Sequence, residues 1–309
     1  MFKEFFIKEL GAAFSRPMLY IFTLMMAIIG AVVIIFGESI GGSSNVYLNA
    51  PHTITKLVGS LSLIALLVST AFFNNAALRD YKYNFSEILF STPIHKMSYF
   101  FGRFSGALVL STIPLCGIFI GYYVGAIIGP LTGEITADRI GPFFIETVIN
   151  SYLLFILPNM FFAGAIIFAM ATKWKNTIIS FLGTLAIIIT YSISGTLLSD
   201  IDHETLGALA DMFGIRAYGI DTKYFTPSDK NTIGATFSGL FLMNRVVWVI
   251  VGFAILFLSY FSFSFKAKNQ KVKKQKEDKN SLSEPISLVT PKATLAFDFG
   301  TSMSQFNSF

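Results

Sequence analysis

The sequence predicts an all-α polytopic membrane protein with six membrane-spanning helices, an interfacial helix in front of them and both termini in the cytoplasm. Three observations predict it. The 309-residue chain is 53% hydrophobic and only 13% charged, against about 25% charged in a soluble domain, so its apolar excess must face lipid. Six stretches each supply the roughly 20 apolar residues that a helix needs to cross a hydrocarbon core about 30 Å thick. Lys and Arg are also unevenly shared between alternate loops. The N-terminus, the 78–98 loop with Arg103 counted at its border, Lys173 with Lys175, and the C-terminal tail hold 17 of the 23 basic residues, which the positive-inside rule assigns to the cytoplasm.

Residues 1–16 place Phe2, Phe5, Phe6, Leu10, Ala13 and Phe14 near helical spacing, with Lys3, Glu4 and Lys8 between them. This predicts an amphipathic helix in the membrane interface, ended by Arg16 and Pro17. A transmembrane domain follows over 17–265, with spans at about 17–36, 57–77, 99–128, 144–171, 177–198 and 246–265. None carries an ionisable residue in its central part; Arg103 stands at the border of the third and Arg245 just outside the sixth. That pattern disfavours a proton-coupled carrier or a cation channel, which mark their pathways with intramembrane charges. Asn150 and Asn159, the latter beside Pro158, are placed to hydrogen-bond between helices. In the third span Gly117, Gly121 and Gly125 share one helix face, preceded by Gly102 and Gly106 at the same spacing. Four-residue spacing of glycines lets another backbone approach closely, from this chain or from another. Residues 266–290 form a basic linker that should lie disordered near anionic headgroups. Residues 291–309 read as the start of a truncated downstream segment.

Catalytic constellations are sparse. His52, His95 and His203 fall in different loops. Asp200, Asp202, His203 and Glu204 could gather around a cation, but Gly207 stands where a zinc HExxH motif needs its second histidine. There is no phosphate-binding loop of the P-loop kind and no Gly-x-Ser-x-Gly elbow. No enzymatic activity is therefore expected of this chain, and no catalytic, cofactor-binding or metal-binding residue is assigned. The lone cysteine, Cys116, lies in an apolar run and can form no intrachain disulfide.

The 78–98 loop carries Glu87, then Leu-Phe-Ser-Thr-Pro-Ile over 89–94, the basic Lys96 and Gly102-Arg103. Pro93 disfavours helix at Thr92, so two short helices with a break between them are expected. This pattern resembles the first cytoplasmic loop of type 2 ATP-binding-cassette exporter permeases, the ABC-2 superfamily. The resemblance implies coupling helices that dock on a nucleotide-binding subunit, with Glu87, Phe90, Pro93 and Lys96 at the ATPase contact. It further implies that residues 1–16 are the family's connecting helix. Over 211–248 the Phe-Gly, Tyr-Phe-Thr-Pro, Lys-Asn-Thr, Ser-Gly-Leu and Asn-Arg elements resemble a bacterial group in which two permease halves are joined to an aminopeptidase N-like metallopeptidase. Ser304-Gln305-Phe306 is similar to the opening of that group's second half.

The implied function is that of a transmembrane permease subunit in a bacterial cytoplasmic membrane, moving substrate when a separate ATPase closes on ATP. ATP and Mg would then sit on the partner ATPase, with no cofactor on this chain. The expected partners are that ATPase, a second permease half or an identical copy, and the lipid bilayer, with no nucleic acid. Two alternatives from other classes stand beside it: a membrane anchor for a metallopeptidase domain absent from this chain, and a membrane-embedded hydrolase using the 200–204 cluster.

Overall fold

Proline placement sets several helix starts. The computed structural model describes residues 1–36, 45–197 and 204–265. Helix α1 (Phe2–Phe14) ends at Ser15, and Arg16 is extended at φ −107° and ψ 134°. A residue before proline is pushed out of the helical region, and Pro17 then opens α2 (Pro17–Ile35) at a position where its missing N–H costs nothing. The amphipathic segment and the first span are thus separate helices. Pro51 opens α3 (Pro51–Lys82) in the same way. A short helix α4 (Ser86–Ser91) follows, and extended Thr92 before Pro93 breaks the path into α5 (Lys96–Thr132). The left-handed Gly133, at φ 79°, terminates α5. One short helix, rather than two, precedes the long one.

The next span is continuous over Ile145–Trp174 but not uniform. Helix α6 (Ile145–Ser151) passes through a π-helical turn at Tyr152–Ile156 into α7 (Leu157–Trp174). Pro158 has no N–H to return to the preceding turn, and a wider turn is one way a helix accommodates that loss. Helix α8 (Thr177–Leu197) comes next. Three short helices, α9 (Glu204–Ala210), α10 (Ile215–Asp221) and α11 (Pro227–Thr232), lead into α12 (Gly239–Ser262). The described residues are helical and contain no strand.

Among the described residues five helices are long and apolar enough to cross a membrane: Pro17–Ile35, Pro51–Lys82, Lys96–Thr132, Ile145–Trp174 and Gly239–Ser262. The apolar stretch of α8 is shorter, Thr177–Ile193. Buried residues make up 61%, 67% and 72% of the most apolar windows of α3, α5 and the α6–α7 span, but only 22% and 28% in α2 and α12. The first three therefore form the core, with α2 laid on α5 and α12 on α7. Edge-to-face and tilted contacts among Phe73, Phe100, Phe104, Phe161 and Phe168 knit α3, α5 and α7 together.

Several helix ends differ from the sequence expectation. Helix α3 extends six residues before and five beyond the apolar run 57–77, and α12 starts seven residues ahead of 246. The early start of α12 brings Arg245 inside that helix, and it and Arg103, near the start of α5, are both buried, at 3% and 5% exposure. Both stand toward the ends of their helices, so the central parts of the spans remain without charge, and what hydropathy misses is the burial of these two residues. Both cations are compensated by groups that hydropathy does not register.

Candidate functional site

At the end of the bundle where α1, α3, α4 and α5 meet, ionised side chains are buried together. Gly102 and Gly106 let α1 lie directly on α5: a Cβ at Gly102 would sit 2.8 Å from Phe5 Cβ, and one at Gly106 2.7 Å from Glu9 Cβ. This approach sinks Glu9 to 2% exposure. Glu9 Oε2 accepts from Arg103 Nη1 at 2.6 Å and from Arg79 Nη2 at 3.0 Å. Arg103 Nη2 donates to Asp80 Oδ2, which also accepts from the Tyr99 hydroxyl at 2.8 Å. Two carboxylates and two guanidiniums thus tie three helices into one polar knot. Buried charges of this kind are stable only when paired and hydrogen-bonded.

Helix α4 lies beside this knot. Glu87 and Pro93 are exposed, as is Ile88 at 63%. Phe90 faces the protein, its ring centroid 5.8 Å from Tyr81, 5.6 Å from Tyr99 and 4.8 Å from Phe265. Lys96 turns inward as well, with Nζ 4.6 Å above the Tyr260 ring. Of the four residues assigned to ATPase docking, Glu87 and Pro93 thus present a surface while Phe90 and Lys96 hold the element against the bundle. Gly117, Gly121 and Gly125 all face α2: a Cβ on the first two would collide with the carbonyls of Thr23 and Ala27, and one on Gly125 would lie 2.9 Å from Ala31 Cα.

A second polar network lies between α7, α12 and the α9–α10 connection. Arg245 Nη1 donates to Asn159 Oδ1 at 2.6 Å, and its Nη2 to Asn244 Oδ1 and to the carbonyl of Met212 at 3.4 Å. Asn159 Nδ2 donates in turn to Ser62 Oγ at 2.9 Å and to the Phe213 carbonyl at 3.3 Å. Asn244 Nδ2 reaches the carbonyls of Ala208 at 2.6 Å and Asp211 at 2.8 Å. The loop between α9 and α10 is therefore pinned by its backbone carbonyls. Asn150, by contrast, only reaches Glu146 one turn back, at 3.4 Å.

Of the proposed cation cluster, Asp200, Asp202 and His203 lie outside the described residues, as do 266–309. Glu204 pairs with Lys223 at 2.9 Å, which raises the Lys223 pKa. His52 Nδ1 is 3.0 Å from the Tyr218 hydroxyl, whose pKa burial drives upward. His95 is exposed, immediately before α5. Among the described residues no group of three or more His, Cys, Asp or Glu side chains could hold a metal. Sequence reasoning missed the Glu9–Arg103–Asp80 knot. Its legible trace was opposite charge at the facing ends of three elements, together with Gly102 and Gly106. The sequence matches no protein-family model and no curated protein.

Proposed function

We propose that this chain is the permease subunit of an ABC-2 type exporter in a bacterial cytoplasmic membrane, driven by a separate ATPase docked on α4. In this reading Thr177–Leu197 is the fifth of six spans, both termini are cytoplasmic, and α1 is an interfacial helix. The observation that supports it most is the mechanical continuity of α4. This short exposed helix is fastened through Phe90 to Tyr81 of α3 and Tyr99 of α5, and those helices are joined to α1 by Glu9, Arg79, Asp80 and Arg103. A push on Glu87 and Ile88 would reach three helices without passing through a flexible joint. The second half of the pore would come from another permease half or from an identical copy.

Docking predicts that the chain co-purifies with an ATP-binding-cassette ATPase and stimulates its ATP hydrolysis. Replacing Glu87 and Ile88 together by alanine should reduce that stimulation about tenfold, the loss expected of a small interface hot spot, with insertion and thermal unfolding unchanged. Undiminished stimulation would refute docking at α4. If no ATPase co-purifies, the membrane-anchor reading gains instead.

A further inference from the structure

Beside α1 a cavity of about 260 Å³ opens between the start of α2, the C-terminal part of α3 from Ala71 to Lys82 and the start of α8. All three helices turn their ends toward it, so it lies at one edge of the apolar bundle. Its lining has two parts. Arg16, Arg79 and Lys82 line one, opposed only by Glu9, whose Oε2 already accepts from Arg79 and Arg103. Leu19, Phe72 and Phe181 line the other. Arg16 is held in place by donation from Nη1 to Asn75 Oδ1 at 3.2 Å. Two buried polar atoms of lining residues have no hydrogen-bond partner among the described residues, Arg79 Nη1 and Asn74 Oδ1.

We infer that this cavity binds the phosphate of an anionic glycerophospholipid. Three cations and a spare guanidinium N–H suit a phosphodiester. A spare amide oxygen suits a hydroxyl on the headgroup, as a buried acceptor without a donor is costly. The apolar wall opens to the outer surface of the bundle at Phe181 of α8, which is 41% exposed, and an acyl chain can lie along it. A soluble phosphate ester has the same polar chemistry but no use for that wall, and this favours lipid as the source. The site does not depend on the ATPase reading; it requires only that the bundle spans a membrane.

Native mass spectrometry of the full chain in neutral detergent tests the assignment. The probes are dioleoyl phosphatidylglycerol, dioleoyl phosphatidylcholine and sn-glycerol 3-phosphate. Saturable retention of phosphatidylglycerol in preference to phosphatidylcholine is expected. The Arg16→Gln/Lys82→Gln variant changes only exposed residues and should weaken retention about 25-fold, fivefold for each cation near the membrane surface. Asn74→Ala should weaken it about fivefold, one hydrogen bond. A Lys3→Gln/Lys56→Gln control removes the same charge from exposed positions off the cavity and should retain the lipid as wild type does. Equal retention of both lipids, or equal loss in the control, would overturn the site. Displacement of the lipid by glycerol 3-phosphate at equal concentration would reassign it to a soluble phosphate and overturn the lipid claim.

Discussion

Arg103 is the residue with most at stake, because its charge is inside the fold and its two carboxylates come from different helices. Removing one partner of a buried pair leaves the other uncompensated and costs about 3–5 kcal/mol. Asp80→Ala should therefore lower the unfolding midpoint of the detergent-solubilised protein sharply. Asp80→Ala combined with Arg103→Met should lower it less than the sum of the single changes, and additive losses would refute the coupling. Glycine substitutions should split by position. Gly121→Ala drives a Cβ into the Ala27 carbonyl and forces α2 away from α5, an overpacking cost of about 1–3 kcal/mol. Gly219→Ala in α10 meets nothing within 4 Å and should stabilise by about 0.5–1 kcal/mol, since alanine loses less backbone entropy in a helix. Thermal unfolding of the two variants measures both signs. The glycine spacing was readable from sequence; the identity of the facing helix was not, because periodicity gives a face and never its partner.

Among the elements, the helix ends show where a linear reading stops. Hydropathy locates the apolar middle of α3 and α12 but not their polar ends. Those ends persist because their backbone and charges are satisfied from elsewhere. At the start of α12, Asp221 accepts from the backbone N–H of Leu240 at 3.2 Å and of Phe241 at 2.8 Å. This is a cap supplied by the end of α10, invisible to any local motif. Asp221→Ala should fray the first turn of α12 at a cost of about 1 kcal/mol, seen as faster amide exchange at Phe241. Helix α11, by contrast, carries its cap in its own sequence: the Thr226 hydroxyl and backbone N–H donate to Asp229 at 2.7 Å and 2.9 Å, holding that carboxyl below its ordinary 3.8. A depressed acid stabilises the fold above its unfolded pKa and stops doing so as pH falls through its lower folded value. Amide protection in α11 should thus be constant above pH 3.8 and fall in stronger acid. Loss of protection nearer neutrality would exclude Asp229 as the cause.

At the scale of the whole molecule, the all-helical membrane architecture was legible from composition and apolar runs, since a continuous run of about 20 apolar residues satisfies its own backbone in lipid as a helix, whereas barrel strands are shorter and alternate. The buried arginines were not, because each is tolerated through partners distant in sequence. The proposed orientation is open to a direct test. With Cys116 replaced by alanine, a membrane-impermeant maleimide should label Glu87→Cys only in permeabilised cells and Asp138→Cys in intact ones. Labelling of Glu87→Cys in intact cells would invert the topology. The knot around Arg103 also bears on biosynthesis. Glu9 and Asp80 leave the ribosome before Arg103 does, so the acidic partners are in place when the cation arrives and it need not enter lipid uncompensated. Helix α2, whose chief packing partner is α5, has to wait for it, and contains no Asp, Glu, Lys, Arg or His over Pro17–Ile35 that would make waiting costly. On arrested chains a carboxylate-reactive probe should modify Glu9 when only the first 82 residues have emerged and fail to do so once 132 have.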